Sequence, residues 1–167
     1  VNGFSVVERC TANDNTSLGI NCGSGCRVSA CSFSRNDSGG IQAFTGAIIV
    51  GNTIRESGGD GINVNNGALI KDNVILNNAK GVRVDGQHCR VEGNHCVANG
   101  VGISVTGDLN YIVRNTCAAS TTNNYEIGIN NRYGKIVDHT MTGTPSVTGN
   151  ASSSFIGTED PWANFAQ

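Results

Sequence analysis

The feature that most restricts this chain is a period of 21 residues. Asn52, Asn73, Asn94 and Asn115 fall on it, and stepping back by the same interval reaches Cys31 and then Cys10. Three positions before these six stand Val7, Val28, Ile49, Ile70, Val91 and Ile112. Two positions after them stand Ala12, Phe33, Ile54, Ile75, Cys96 and Cys117. A glycine-led column (Gly19-Ile20, Gly40-Ile41, Gly61-Ile62, Gly81-Val82, Gly102-Ile103) keeps the same phase, except that one residue is lost before Gly81 and returned before Cys89. A unit this small cannot bury its own apolar face, whereas stacked copies bury a continuous core. A constant total with a local compensation is what stacking demands.

Within a unit the pattern alternates: Ile62 and Val64 oppose Asn63 and Asn65, and Ala68 and Ile70 oppose Leu69 and Lys71. Period-2 stretches broken by Gly and Asn signify short strands and turns. Composition agrees, because 23 glycines and 22 asparagines among 167 residues are poor material for helices. Charged residues at 14% are too few for a solvated disordered chain. No apolar run is long enough to span a bilayer. A net charge of -2 gives no electrostatic footprint for nucleic acid. The expected fold is all-β: a right-handed parallel β-helix of about six 21-residue turns over 1–137, with a non-repetitive C-terminal tail over 138–167. At a strand spacing near 4.8 Å, six turns make a rod about 29 Å long. Asn at one corner of four adjacent turns is expected to form a hydrogen-bonded ladder, a structural role that leaves no ligand role for these four.

The stacked units G-I-N-V-N-N-G-A-L-I-K-D-N-V-I and G-V-R-V-D-G-Q-H-C-R-V-E-G-N-H-C resemble the repeats of bacterial right-handed β-helix proteins of the pectin-lyase-like superfamily, over roughly residues 3–137. The stretch R-N-T-C-A-A-S-T-T-N-N-Y-E-I-G-I-N-N-R-Y-G-K-I-V and the terminal D-P-W-A-N-F are similar to the end of a group of predicted secreted bacterial β-helix proteins with no assigned activity. The resemblance implies a secreted or cell-surface protein and leaves its function open.

At the start, Val1 to Val7 already follow a strand pattern, with no charged leader and no polar cap. Upstream turns, a larger parent chain or a second copy are expected to cover that end. At the other end, Trp162 and Phe165 suggest that the tail packs on the rod or on a neighbouring subunit. Ile48, Leu69 and Tyr111 stand on an outward column with Arg27 and Arg90, and contiguous outward apolar residues mark an interface. The tail is the simplest occupant, and lateral self-association is the next.

Seven cysteines are too sparse for a disulfide-built miniprotein, and without a C-x-x-C pair or histidines at zinc spacing no metal site is expected. Cys10 stacks over Cys31 and Cys96 over Cys117. Either pair could form a strained disulfide, although parallel Cβ vectors favour a reduced ladder. The densest titratable cluster is Arg83, Asp85, His88, Arg90, Glu92 and His95. A lyase acting on polyuronates needs a cation or metal at the substrate carboxylate and a base for the C5 proton, so Arg83, Asp85, His88, Arg90 and Glu92 are the catalytic candidates. The offsets Arg83/Asp85 and Arg90/Glu92 read instead as surface ion pairs, and nothing in the sequence matches an Asp-rich calcium site. The expected function is therefore a non-catalytic extracellular or cell-surface module with a structural or self-assembly role, without a cofactor. The alternative is a carbohydrate-active domain (polyuronate lyase, epimerase or glycoside hydrolase) or a polysaccharide-binding module, with calcium needed only for the lyase.

Overall fold

Each unit contributes three short strands, and the corners between them explain why they are short. The computed structural model describes residues 1–138, 147–149 and 160–167. In one coil the strands are Leu69–Lys71, Val74–Leu76 and Lys80–Val84, and the same three recur in the coils above and below. Among the described residues they assemble into three sheets of seven, eight and seven strands, called here A, B and C. Pairing is parallel and follows the repeat, with Ile70 beside Ile49 and Val91 in sheet A and Ile75 beside Ile54 and Cys96 in sheet B. The lost residue shows in sheet C, where Val82 pairs with Ile62, while Arg90 of the following sheet A strand is back in register with Leu69.

In the repeated coils each turn carries a residue in the left-handed region, directly after the strand in sheets A and B and three or four residues after it in sheet C. One corner uses Gly25, Gly46, Gly67, His88, Leu109 and Asn130; the next uses Arg9, Ala30, Gly51, Asp72, Gly93 and Arg114; the third uses Asp14, Arg35, Glu56, Asn77, Ala98 and Ala119. Most of these are not glycine, and for an L-residue that conformation costs about 1–2 kcal/mol. It is held because the residue that follows is locked to its neighbours in adjacent coils. At the second corner the Asn73 Oδ1 accepts from the backbone N–H of Asn52 at 2.9 Å, and Asn73 Nδ2 donates to the Ile49 carbonyl at 3.0 Å. The asparagines at 52, 73, 94 and 115 thus saturate peptide groups that the corner would otherwise strand. The other two corners carry ladders of their own, through Asn78 and Asn99 at one and Cys89, Asn110 and Asn131 at the other.

The inward columns bury completely: Ile49, Ile70, Val91 and Ile112 from sheet A, Ile54, Ile75, Cys96 and Cys117 from sheet B, and Ile62, Val82 and Ile103 from sheet C. Burying one such aliphatic side chain contributes roughly 1.5–3 kcal/mol. The stack therefore gains about the same amount at each added coil. All seven cysteines are free thiols, so neither Cys10 with Cys31 nor Cys96 with Cys117 is bridged. Instead Cys31 and Cys89 act as ladder residues, with Sγ accepting from the N–H of Cys10 and of Ala68, each at 3.3 Å. Burial and the hydrogen bond with Cys117 push the Cys96 thiol well up, the hydrogen bond being the larger cause.

The C-terminal strand Asn164–Ala166 enters sheet B between Thr116–Ala118 and Ile136–Asp138. Asn164 takes the next place in the asparagine ladder, its Oδ1 accepting from the Asn115 N–H at 3.0 Å. The hydroxyl of buried Tyr125 reaches the Asn115 carbonyl at 2.8 Å and that of Phe165 at 2.9 Å, tying the inserted strand to the core. Much of the tail, 139–146 and 150–159, lies outside the described residues.

Candidate functional site

The helix winds the titratable cluster around itself and divides it. Arg83 and Asp85 face outward from sheet C, Arg90 and Glu92 face outward from sheet A, and His88 is the left-handed residue at the corner between them, with φ 59°. They do not converge on one point. Each half is an ion-pair group. Arg83 Nε donates to Asp85 Oδ1 at 2.9 Å, and Thr106 Oγ1 donates to the same oxygen at 2.9 Å. On sheet A, Arg90 Nε donates to Glu92 Oε2 at 2.6 Å, with Arg114 Nη1 at 3.6 Å and Lys71 Nζ at 3.9 Å from the other oxygen.

Glu92 is only 7% exposed, so the expectation of a freely solvated pair does not hold for it. Its carboxyl is held below the usual carboxylate range, first by the hydrogen bond from Arg90. Arg114 lies 4.3 Å over the Trp162 ring and donates from Nε to the Pro161 carbonyl at 3.0 Å. This half of the cluster therefore fastens the C-terminal segment. Ile48, Leu69 and Tyr111 do stand together on the outward row of sheet A, with Arg90 5.0 Å over the Tyr111 ring. The described tail strand, however, occupies sheet B. Among the described tail residues, Phe165 lies in sheet B because Asn164 is drawn into the ladder, and Trp162 stacks on Arg114; the rest of the expected cover over that row falls on residues outside the described ones.

Sheet C presents a different surface. Six of its seven described strands hold five residues, and two rows point outward: Asn21, Gln42, Asn63, Arg83, Ser104 and Glu126 in one, and Leu18, Gly39 and Asp60 in the other. Gly39 adopts φ 142°, and a Cβ there would lie 2.6 Å from the Asp60 carbonyl oxygen. That position must stay bare, and beside it lies a notch of about 90 Å³ lined by Leu18, Ser38, Ile41, Gln42, Asp60 and Asn63. Asp60, with 17% of its side chain accessible, has Arg83 Nη1 3.5 Å from Oδ2. Burial is the main cause raising its pKa, opposed by the charges of Arg83 and Lys80.

Among the described residues the side-chain amides of Gln42 and Asn63 bond to no other protein group, whereas the buried asparagines spend theirs on stacking. The site can thus accept through Asp60, donate and accept through two free amides, and pack a small apolar group on Leu18. Among the described residues no three His, Cys, Asp or Glu side chains come together as a metal site.

Sequence reading placed Gln42 and Asn63 in their outward row but missed the notch. Its signal was Gly39, a second glycine beside the repeating one, standing where neighbouring coils carry Leu18 and Asp60. The Arg114 clamp could not be read, because Trp162 lies outside the period.

No curated protein and no solved structure matches the chain. A family model described as a right handed beta helix region matches residues 2–118. That span is more than half of the chain, and it carries the columns and ladders described above; the chain belongs to the right-handed β-helix family.

Proposed function

We propose that this chain is a rigid, non-catalytic β-helix module of a secreted or cell-surface protein that presents sheet C to polysaccharide. One observation carries the binding role: Gln42 and Asn63 hold unspent amides on a flat face, beside a carboxylate at the bottom of a notch. Side chains repeating at the strand spacing, about 4.8 Å, form a straight row of hydrogen-bonding groups suited to a linear hydroxylated polymer. The cell-surface setting is supported by the resemblance of the repeats and of the terminal stretch to secreted β-helix proteins. The structural role is supported by the buried ladders, which commit most polar interior groups to holding one coil on the next.

The test is a glycan array followed by calorimetry on the intact chain and on a Gln42→Ala, Asn63→Ala double variant. The wild type is expected to retain at least one polysaccharide class, and the double variant to bind it at least tenfold more weakly with an unchanged melting temperature. Absence of binding across the panel overturns the reading.

Self-association is a second reading. It is favoured by the half-buried Ile48 and Leu69, adjacent in a sheet A row, whereas the described tail strand lies in sheet B.

A further inference from the structure

We infer that the notch beside Asp60 takes the acetamido group of an N-acetylated amino sugar, an assignment that rests on sheet C being the glycan-binding face. Size comes first. A cavity holds one water in roughly 10–15 Å³ of such volume, so about 90 Å³ admits a substituent of a few heavy atoms. A pocket for a whole drug-sized ligand runs to about 300–1,000 Å³. The sugar ring therefore stays on the flat face and one substituent descends.

The lining then selects which one. Leu18 gives an apolar wall, Asp60 an acceptor, and Gln42 and Asn63 donors, while the Ile41 side chain is turned into the core. A hydroxyl would leave the apolar wall unused. A carboxylate would confront Asp60. A free ammonium would be desolvated against Leu18, with Arg83 close behind the carboxylate. An acetamido group satisfies every wall: its N–H donates to Asp60, its carbonyl accepts from Gln42 or Asn63, and its methyl packs on Leu18.

Asp60 is not needed for the fold as the partner of Arg83. Arg83 already donates to Asp85 at 2.9 Å, and its approach to Asp60 is longer, at 3.5 Å and through Oδ2. Among the described residues Oδ1 makes no bond to the protein. Burial meanwhile disfavours the charged carboxyl. A partly buried carboxylate with an unused oxygen, beside two unused amides, is better matched by a ligand N–H than by anything the chain supplies.

The experiment pairs ligands that differ only in the acetyl group: oligomers of N-acetylglucosamine against glucosamine, and of N-acetylgalactosamine against galactosamine. Binding to the full chain is followed by calorimetry and by the side-chain amide resonances of Gln42 and Asn63. In at least one pair the acetylated ligand is expected to bind at least tenfold more tightly and to shift both amides, and Asp60→Ala is expected to erase that preference while circular dichroism stays unchanged. Equal binding within both pairs, lost in the Gln42→Ala, Asn63→Ala variant, overturns the notch assignment and leaves the sheet C reading standing. A preference that survives Asp60→Ala overturns the assignment as well. If no glycan of any class binds, the sheet C reading falls and the assignment with it.

Discussion

At the scale of single residues, the chain is built on a two-residue corner: a left-handed residue, then one whose side chain bridges coils. Asn94 shows how much depends on the second. Its Oδ1 accepts from both the backbone N–H and Nδ2 of Asn73, at 3.1 and 2.9 Å, and its Nδ2 donates to the Ile70 carbonyl at 3.0 Å. Asn94→Ala strands two buried donors, and each buried donor left without a partner costs about 1–3 kcal/mol. A loss of about 3 kcal/mol in unfolding free energy is expected from urea titration, and a loss below about 1 kcal/mol would mean the ladder is incidental.

Two carboxylates make opposite contributions to the pH dependence of stability. Glu92 is held below its ordinary value near 4.5, so its contribution is present above that value and is lost as pH falls through the folded pKa. Asp60 is raised above 3.8; its contribution is present below that value and is lost as pH rises through the folded pKa. Thermal melts from pH 3 to pH 7 should therefore show Glu92→Gln flattening the acid limb and losing stability at neutral pH. Asp60→Asn should leave the melting temperature at pH 7 equal to or above that of the wild type.

At the scale of elements, the inserted strand Asn164–Ala166 sets the C-terminal geometry. It is bonded on both sides, with the Phe165 N–H donating to Asn115 at 2.8 Å and the Asn164 N–H donating to Lys135 at 2.7 Å. Removing 160–167 leaves the Asn115 and Tyr125 partners empty and separates Ile136–Asp138 from the rest of sheet B. Hydrogen exchange on the truncated chain should show protection lost at Thr116–Ala118 and Ile136–Asp138 and retained at Ile49, Ile54 and Ile62. That gradient is the behaviour of a solenoid, in which a coil answers mainly to its neighbours. Uniform loss of protection along the rod would contradict it.

At the scale of the whole molecule, the winding decides which charges can cooperate. Residues 83–92 span a corner, so Arg83 with Asp85 and Arg90 with Glu92 end on different faces despite lying within ten residues of one another. An elimination on a polyuronate needs carboxylate neutralisation and proton abstraction at one place. The expected outcome of a polyuronate screen, read by the ultraviolet absorbance of unsaturated product with and without calcium, is no turnover. Turnover abolished by Arg83→Ala or His88→Ala would refute the non-catalytic reading.

The sequence by itself determined the coil: the period, the inward columns and the asparagine ladder at 52, 73, 94 and 115 are local repeats, and a repeat stacked on itself has one way to bury its apolar faces. The outward row through Asn21, Gln42, Asn63 and Arg83 was legible for the same reason, since a residue's face follows from its parity along the strand, whereas Leu18, Gly39 and Asp60 share the parity of inward Ile20, Ile41 and Ile62 and were not. The ladders through Asn78 and Asn99 and through Asn110 and Asn131 carried the same 21-residue signal, diluted by serine, alanine and cysteine at the equivalent positions. Only the tertiary structure decided where the tail goes. Asn164 stands 49 residues from the Asn115 it bonds, and no period announces that a distant strand will take the next place in sheet B. The notch beside Asp60 is likewise a product of three coils, because its lining residues Leu18, Gln42 and Asp60 come from three successive turns and meet only once those turns are stacked.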